Sequence, residues 1–124
     1  MNKNAYNQYK QVQAQTANPG KLLIMLYQGC IKFLNLAKKG IEDKDIEVTN
    51  KYLQKSQDII TELKVTLDFE KGGEIADDLD KLYDFMNRQL IAANIQKNPE
   101  LIDQVIDLMK DLLETWQEVV KKNN

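Results

Sequence analysis

The residues best suited to metal chemistry are two groups of aspartates, Asp43 with Asp45 and Asp77 with Asp78 and Asp80. Carboxylate oxygens are the ligands that magnesium and calcium prefer, so either group raises the question of a cation site. Neither group has the residue spacing of a calcium-binding EF-hand loop. Both groups fall where helices are expected to begin or end. The sequence therefore predicts solvated helix ends and no metal site.

Two glycine-lysine segments, Gly20-Lys21 and Lys71-Gly72-Gly73, carry part of the pattern of phosphate-binding loops. The first lacks the upstream glycine of a P-loop and the Ser or Thr that should follow its lysine, and neither segment follows a predicted strand. Capping and turning of helices explain both segments. We therefore expect no nucleotide and no other cofactor.

Nucleophilic and acid–base catalysis has few candidate groups, because the chain contains no histidine and one cysteine. The absence of histidine excludes a histidine phosphotransfer bundle and removes the Glu-x-x-His pairs of a ferritin-like metal site. Cys30 lies on a predicted core stripe with no histidine to activate it, which predicts a packed thiol. Arg88 follows Asp84 by four residues, the spacing of a helical surface ion pair. The sequence thus predicts a protein that is not an enzyme.

Length and charge narrow the class of protein further. The 124 residues suffice for one self-sufficient core, and a net charge of -2 without a basic block argues against nucleic acid as a partner. The longest apolar run, Leu22 to Tyr27, is too short to span a membrane, so we expect no membrane insertion. The single cysteine and an N-terminus without an apolar signal region favour the cytoplasm.

Helix start and stop signals divide the chain into four long segments. Asn-Pro pairs at 18–19 and 98–99 are typical of helix starts, since proline there lacks an N–H that would be unpaired anyway. The Gly72-Gly73 pair favours a helix end. The predicted helices cover about 18–42, 46–70, 74–96 and 99–121, with connections too short to cross a bundle. We therefore predict an all-α domain at residues 18–122, an antiparallel up-down-up-down four-helix bundle.

Residues 1–17 differ in kind, being rich in Asn and Gln with few apolar groups, among them Tyr6 and Tyr9. A helix of two or three turns is marginal by itself. We therefore expect a mobile N-terminal arm or short helix that docks loosely on the bundle.

Apolar residues recur at steps of three and four along each segment, as expected for helices with a buried face. The predicted core stripes include Tyr27 on the first helix and Tyr83 with Met86 on the third. The last segment carries two interleaved stripes, and periodicity alone leaves open which one closes the core. One stripe is Leu101, Val105, Leu108, Leu112 and Val119; the other is Ile102, Ile106, Met109, Leu113, Trp116 and Val120. A helix needs only one apolar stripe for the core, so the second stripe indicates a groove for a partner. The alternative is that it buries against a second copy of the chain.

Motifs spread along the chain resemble those of the flagellin-specific export chaperones of the FliS type. They are Ala5-Tyr6, the block Thr16 to Gly29, the segment Leu67 to Ala76, the run Leu79 to Asn94, and Trp116. Together they cover essentially the whole chain in order. Asn18, Gln28 and Gln89 depart from the residues usual in that family, which bears on partner preference.

The resemblance implies a non-enzymatic cytoplasmic chaperone of bacterial flagellum biogenesis. Such proteins bind the disordered C-terminal segment of flagellin, prevent its premature polymerisation and assist its delivery to the flagellar type III export apparatus. The expected partners are thus the flagellin C-terminal segment and a component of the export gate. A self-associating structural or regulatory bundle is the alternative, with weak self-association as its signature.

Partner-binding residues follow partly from the resemblance and partly from the pattern. The resemblance implies Tyr6 as a contact for the export machinery, and it places Ile24, Leu26 and Tyr27 in the motif nearest the groove. The surplus of apolar residues adds candidates on the third and fourth helices, and the arm adds Tyr9. These further candidates are Phe85, Ile106, Met109, Leu113 and Trp116.

Overall fold

The computed structural model describes residues 19–122, and these residues form four helices and no strand. In chain order the helices are α1 (Pro19–Glu42), α2 (Ile46–Val65), α3 (Phe69–Gln96) and α4 (Pro99–Lys122). The predicted helical class is confirmed, and the predicted N-terminal arm lies outside the described residues.

Helix starts follow the local chemistry expected from the sequence. Helices α1 and α4 both begin at a proline. The Asn98 side chain accepts a hydrogen bond from the Glu100 N–H at 3.0 Å, and Asp45 accepts one from Val48 at 3.1 Å. Each bond satisfies a backbone donor that has no partner within the first turn of its helix.

The second helix ends earlier than predicted. It ends at Val65, not near residue 70, and α3 starts at Phe69, not at residue 74. The cause is Asp68, whose carboxylate accepts the Lys71 N–H at 3.0 Å and starts a new helix before the glycine pair. Gly73, with φ of 51° and ψ of -125°, is non-helical, so α3 is kinked there and a short helical stretch precedes the longer one.

The four helices pack as a ring in which each contacts its two neighbours: α1 with α2 and α4, and α3 with α2 and α4. Ion pairs between ends fix the directions. Lys38, late in α1, pairs with Asp103, early in α4, at 2.6 Å. Lys64, late in α2, pairs with Asp80 at 2.8 Å and with Asp84 at 3.5 Å near the start of α3. Neighbouring helices are therefore antiparallel, which gives the predicted up-down-up-down bundle.

One of these ion pairs replaces a predicted one. Asp84 pairs across the helix interface with Lys64 rather than along α3 with Arg88, which makes no ion pair within residues 19–122. The Lys64 ammonium reaches both Asp80 and Asp84, so the cross-helix contact outcompetes the local one.

Fully buried side chains from all four helices form one core. The tyrosines predicted for it, Tyr27 and Tyr83, are 0% and 2% exposed, and their hydroxyls are 2.5 Å apart across the bundle axis. Cys30 is fully buried, with its thiol 3.7 Å from the Ser56 carbonyl oxygen. The predicted packed thiol is thus confirmed. Met86 also lies in this core.

Two glycines of α1, Gly29 and Gly40, face α2. A β-carbon at Gly40 would lie 2.8 Å from the Thr49 backbone nitrogen, closer than real side chains come. At Gly29 a β-carbon would meet only the tip of Ile59, at 3.9 Å. The absence of a side chain is therefore a packing requirement at Gly40 and not at Gly29.

Candidate functional site

Helix α4 turns one of its two apolar stripes to the core. Ile102 and Met109 are fully buried and Ile106 is 4% exposed, so their stripe closes the bundle. On the other stripe Val105 alone is fully buried, whereas Val119 is 41% exposed. Its remaining members, Leu101, Leu108 and Leu112, are partly buried.

Three residues predicted to bind a partner are core residues instead. Ile106 and Met109 lie on the stripe that faces the bundle axis, and Tyr27 is enclosed where α1 faces α3. With at most 4% of each residue exposed, none of the three can contact a partner in this conformation. Periodicity left open which stripe of α4 closes the core, and packing turns the stripe of Ile106 and Met109 inward.

The outer stripe of α4 lies along the interface with α3. The Gln89 amide of α3 hydrogen-bonds the Gln104 side chain of α4 and marks this interface. Phe85 precedes Gln89 by one turn and Leu108 follows Gln104 by one turn, so in antiparallel helices they lie beside each other. We name this surface the α3–α4 groove. Its apolar residues are Leu82, Phe85, Leu101, Leu108, Leu112 and Val119.

The sequence analysis identified only Phe85 among the groove residues as a partner contact. A usable signal was present in α4, because its core stripe is uninterrupted from Ile102 to Val120. The other stripe is broken at Thr115, midway between Leu112 and Val119. An uninterrupted stripe is the better candidate for the core, since a polar gap is cheaper at a surface.

The apolar residues of α4 become less buried towards its C-terminal half. The fully buried residues of α4 end at Met109. Beyond it Leu112, Leu113 and Trp116 are only partly buried. Chain direction places this half of α4 beside the start of α3, where Phe69 and Ile75 are 49% and 68% exposed. Apolar side chains are thus exposed at the end of the bundle where residue 19 begins α1.

Trp116 lies between the core and the surface. It packs on the core cluster, and its indole N–H has no hydrogen-bond partner among residues 19–122. Burial raises the pKa of Tyr27, while the Tyr83 hydroxyl partly offsets that rise. Burial also raises the pKa of Tyr83, and the Tyr27 hydroxyl adds to the effect. Both tyrosines are thus kept protonated in the fold.

The other predicted contacts occupy different interfaces. Ile24 and Leu113 lie on the sides of α1 and α4 that also carry the Lys38–Asp103 pair, so both belong to the α1–α4 interface. Leu26 lies one turn before Gly29, which faces Ile59 of α2, and so belongs to the α1–α2 interface. Tyr6 and Tyr9 lie outside the described residues. The structure therefore does not gather the predicted set into one site.

Residues considered for chemistry have structural roles. Asp45 caps α2, and Asp43 pairs with Lys39 at 3.4 Å. Residues 19–122 contain no group of three or more acidic or cysteine side chains placed to hold a metal ion. Burial raises the pKa of the Cys30 thiol, which keeps it protonated and poorly nucleophilic. No helix in this part of the chain is long and apolar enough to cross a membrane.

An apolar groove between two helices can take the apolar face of an amphipathic segment. Comparison with known proteins specifies the class. The profile of the family described as "Flagellar protein FliS" matches residues 2–123. The flagellar secretion chaperone FliS of Campylobacter jejuni is 44% identical over 115 residues, covering 93% of this chain and 90% of that protein. Its Bacillus subtilis counterpart is 37% identical over 118 residues, covering 95% and 87%.

A solved structure agrees on the fold. A crystal structure of a bacterial flagellar chaperone superposes with a TM-score of 0.80 at 24% identity, covering 95% of this chain and 96% of that one. The chain belongs to the FliS family of flagellar secretion chaperones, a non-enzymatic family.

Proposed function

We propose that this protein binds the disordered C-terminal segment of flagellin in the α3–α4 groove. By holding that segment in the bacterial cytoplasm, it prevents premature polymerisation and assists delivery of flagellin to the flagellar type III export apparatus. The family supports the secretion role. The observation that carries the client site is the outer apolar stripe of α4 beside Phe85, which is partly buried and ends in the exposed Val119.

The groove has the chemistry of a site for an amphipathic helix. Phe85 is 37% exposed and Val119 is 41% exposed, and the four partly buried leucines of the groove continue the apolar surface. A disordered segment that folds on this surface loses about 2–5 kcal/mol to its own ordering. Burial of several large apolar side chains, each contributing about 1.5–3 kcal/mol, can exceed that cost.

The N-terminal arm has a separate role in this proposal. Residues 1–17, with Tyr6 and Tyr9, provide the contact for an export gate component. Because α1 begins at the end of the bundle that carries the C-terminal half of α4, the arm also competes with the client for the same apolar surface. A weakly docked arm lowers the apparent client affinity only by the fraction of time for which it covers the groove.

The test is a calorimetric titration with a peptide of the flagellin C-terminus. We expect one-to-one binding, a gain of helicity, and a change in the fluorescence of Trp116, the only tryptophan. Phe85→Asp combined with Val119→Asp should weaken binding at least about tenfold, because two apolar contacts of the groove are replaced by charges.

Matched control substitutions are available on the other side of the same helix. Asn87 hydrogen-bonds Thr61 of α2, and Ile91 lies one turn beyond Asn87, so Ile91 faces away from the groove. Ile91 and Ile95 are 52% and 79% exposed, and changing both to Asp should leave client binding unaltered. Absence of binding at tens of micromolar would reject the proposal. A tight dimer in sedimentation that the peptide leaves unchanged would favour the self-associating bundle.

A further inference from the structure

Charge is distributed unevenly among the four helices. Helix α1 carries four lysines and one glutamate, and α2 carries three residues of each sign. Helices α3 and α4 each carry six acidic and three basic residues. The surface formed by α1 and α2 is therefore basic relative to the side that carries the α3–α4 groove.

Two lysines on the α1–α2 surface lie over a pair of stacked aromatic rings. The rings of Phe33 in α1 and Tyr52 in α2 have centroids 5.8 Å apart at an angle of 26°. The Lys55 ammonium is 5.2 Å from the Phe33 centroid, and that of Lys51 is 5.3 Å from the Tyr52 centroid. Attraction to the rings, about 0.5–1 kcal/mol at exposed sites, restrains both lysines near the rings.

These cations have no anionic partner in the bundle. Neither Lys51 nor Lys55 forms an ion pair with any residue from 19 to 122, and the same holds for the exposed Lys32 beside Phe33. The four ion pairs of that region use Lys38, Lys39 and Lys64. The local positive charge is thus available to a ligand.

Apolar side chains of α1 continue the surface on either side of Phe33. Leu26, Phe33 and Leu36 lie along the α2-facing side of α1, and all three are partly buried. At 1.5 Å of rise per residue, this row is about 15 Å long. A segment that docks here would bury apolar groups along the row while its carboxylates approach the ammonium groups.

We propose that the α1–α2 surface is a second docking site, which takes an acidic amphipathic segment of a partner protein. It lies on the face opposite the α3–α4 groove, so both sites can be occupied together. The two sites select different ligands, because the groove lies between two acidic helices and this surface is basic.

Other anionic ligands fit the surface less well. Asp58 and Glu62 lie farther along α2, so the basic area is confined to a few lysines. A nucleic acid or an anionic membrane gains affinity from many phosphates spread over a larger basic surface. A short segment with a few carboxylates and apolar side chains matches both the size and the chemistry.

The probe is a fluorescein-labelled synthetic peptide in which aspartate alternates with leucine, titrated with the full chain by fluorescence anisotropy. We expect saturable binding that added salt weakens and that the flagellin peptide does not displace. Lys51→Glu with Lys55→Glu should reduce affinity about tenfold, since two attractive contacts become repulsive. Lys51→Arg with Lys55→Arg should retain binding.

The matched control is Lys110→Glu with Lys121→Glu, which changes the net charge equally on α4. Circular dichroism confirms that each variant is folded. Equal loss in both glutamate variants would overturn the site, because it would show attraction to net charge alone. Binding to phosphatidylglycerol vesicles but not to the peptide would assign the surface to membranes. Salt-sensitive self-association abolished by the Lys51 and Lys55 changes would assign it to a second copy.

Discussion

Gly29 and Gly40 permit one substitution to be compared at two positions of the same helix. Both residues face α2, yet only Gly40 lies against the backbone of Thr49. Changing each glycine to alanine in turn tests whether this contact sets the spacing between α1 and α2. We expect Gly40→Ala to destabilise the fold and Gly29→Ala to stabilise it slightly.

The expected magnitudes follow from the distances. At Gly40 the new methyl group would meet three atoms of Thr49 at 2.7, 2.8 and 3.1 Å, two of them backbone atoms that cannot rotate away. Relieving that overlap should cost about 1–3 kcal/mol, the usual range for overpacking. Alanine gains up to about 1 kcal/mol over glycine within a helix. At Gly29, with 3.9 Å to Ile59, the helix gain should remain.

Urea denaturation followed by circular dichroism gives the two free energies of unfolding. Because the gain in helix propensity applies to both variants, their difference isolates the overpacking cost of about 1–3 kcal/mol. For a chain of this length, each kcal/mol of that difference corresponds to a shift of about 3–6 °C in Tm.

Two results would refute this reasoning. Equal stabilisation by both changes would show that α1 and α2 separate at no cost, so Gly40 would not set their distance. Greater destabilisation at Gly29 would mean that the close approach lies elsewhere along the interface.

Three further predictions concern the buried polar groups. Tyr83→Phe should lower the free energy of unfolding by about 1–3 kcal/mol, because it leaves the Tyr27 hydroxyl buried without its partner. Adding Tyr27→Phe should restore part of that loss. If denaturation showed that the losses of the two changes add, a direct bond between the hydroxyls would be contradicted. Cys30 should react slowly with a thiol reagent until denaturant is added, since burial raises its pKa, and fast labelling of the native protein would count against this. Above about pH 10, Tyr27 and Tyr83 ionise in the unfolded chain, while their raised pKa values keep them protonated in the fold. The free energy of unfolding should therefore fall as pH rises. The slope of the free energy of unfolding against pH should flatten when both Tyr27 and Tyr83 are changed to Phe. An unchanged slope would assign the effect to other groups.

Much of the fold could be predicted from the sequence because each helix has a clear apolar period. The stripe through Tyr83 and Met86 is the buried face of α3, as the spacing indicated. The boundary between α2 and α3 was wrong because two signals compete there. The glycine pair at 72–73 suggested a helix end, while the capping carboxylate of Asp68 starts α3 first. Local capping decided the outcome, and the glycine conformation became a kink.

The candidate site was less predictable, because it depends on how α4 is rotated in the bundle. Periodicity gives the angle between two stripes, but packing against α1 and α3 decides which stripe is buried. Met109 and Leu108 are adjacent in sequence, yet one is fully buried and the other lines the α3–α4 groove. The hydrogen bond between Gln89 and Gln104 marks the resulting α3–α4 interface, and it joins residues far apart in the chain.

The charge of the helices bears on whether the α3–α4 groove holds a client or a second copy. A symmetric dimer joined groove to groove would bring α3 and α4 of both copies together, and each of these helices carries six acidic and three basic residues. Like charges placed across an interface oppose that arrangement. A second copy could instead dock its basic α1 surface on the groove, but that contact is head-to-tail and does not close into a symmetric dimer. Neither the repulsion between like charges nor the lack of symmetric closure applies to a client segment. This favours a foreign amphipathic helix as the occupant of the groove.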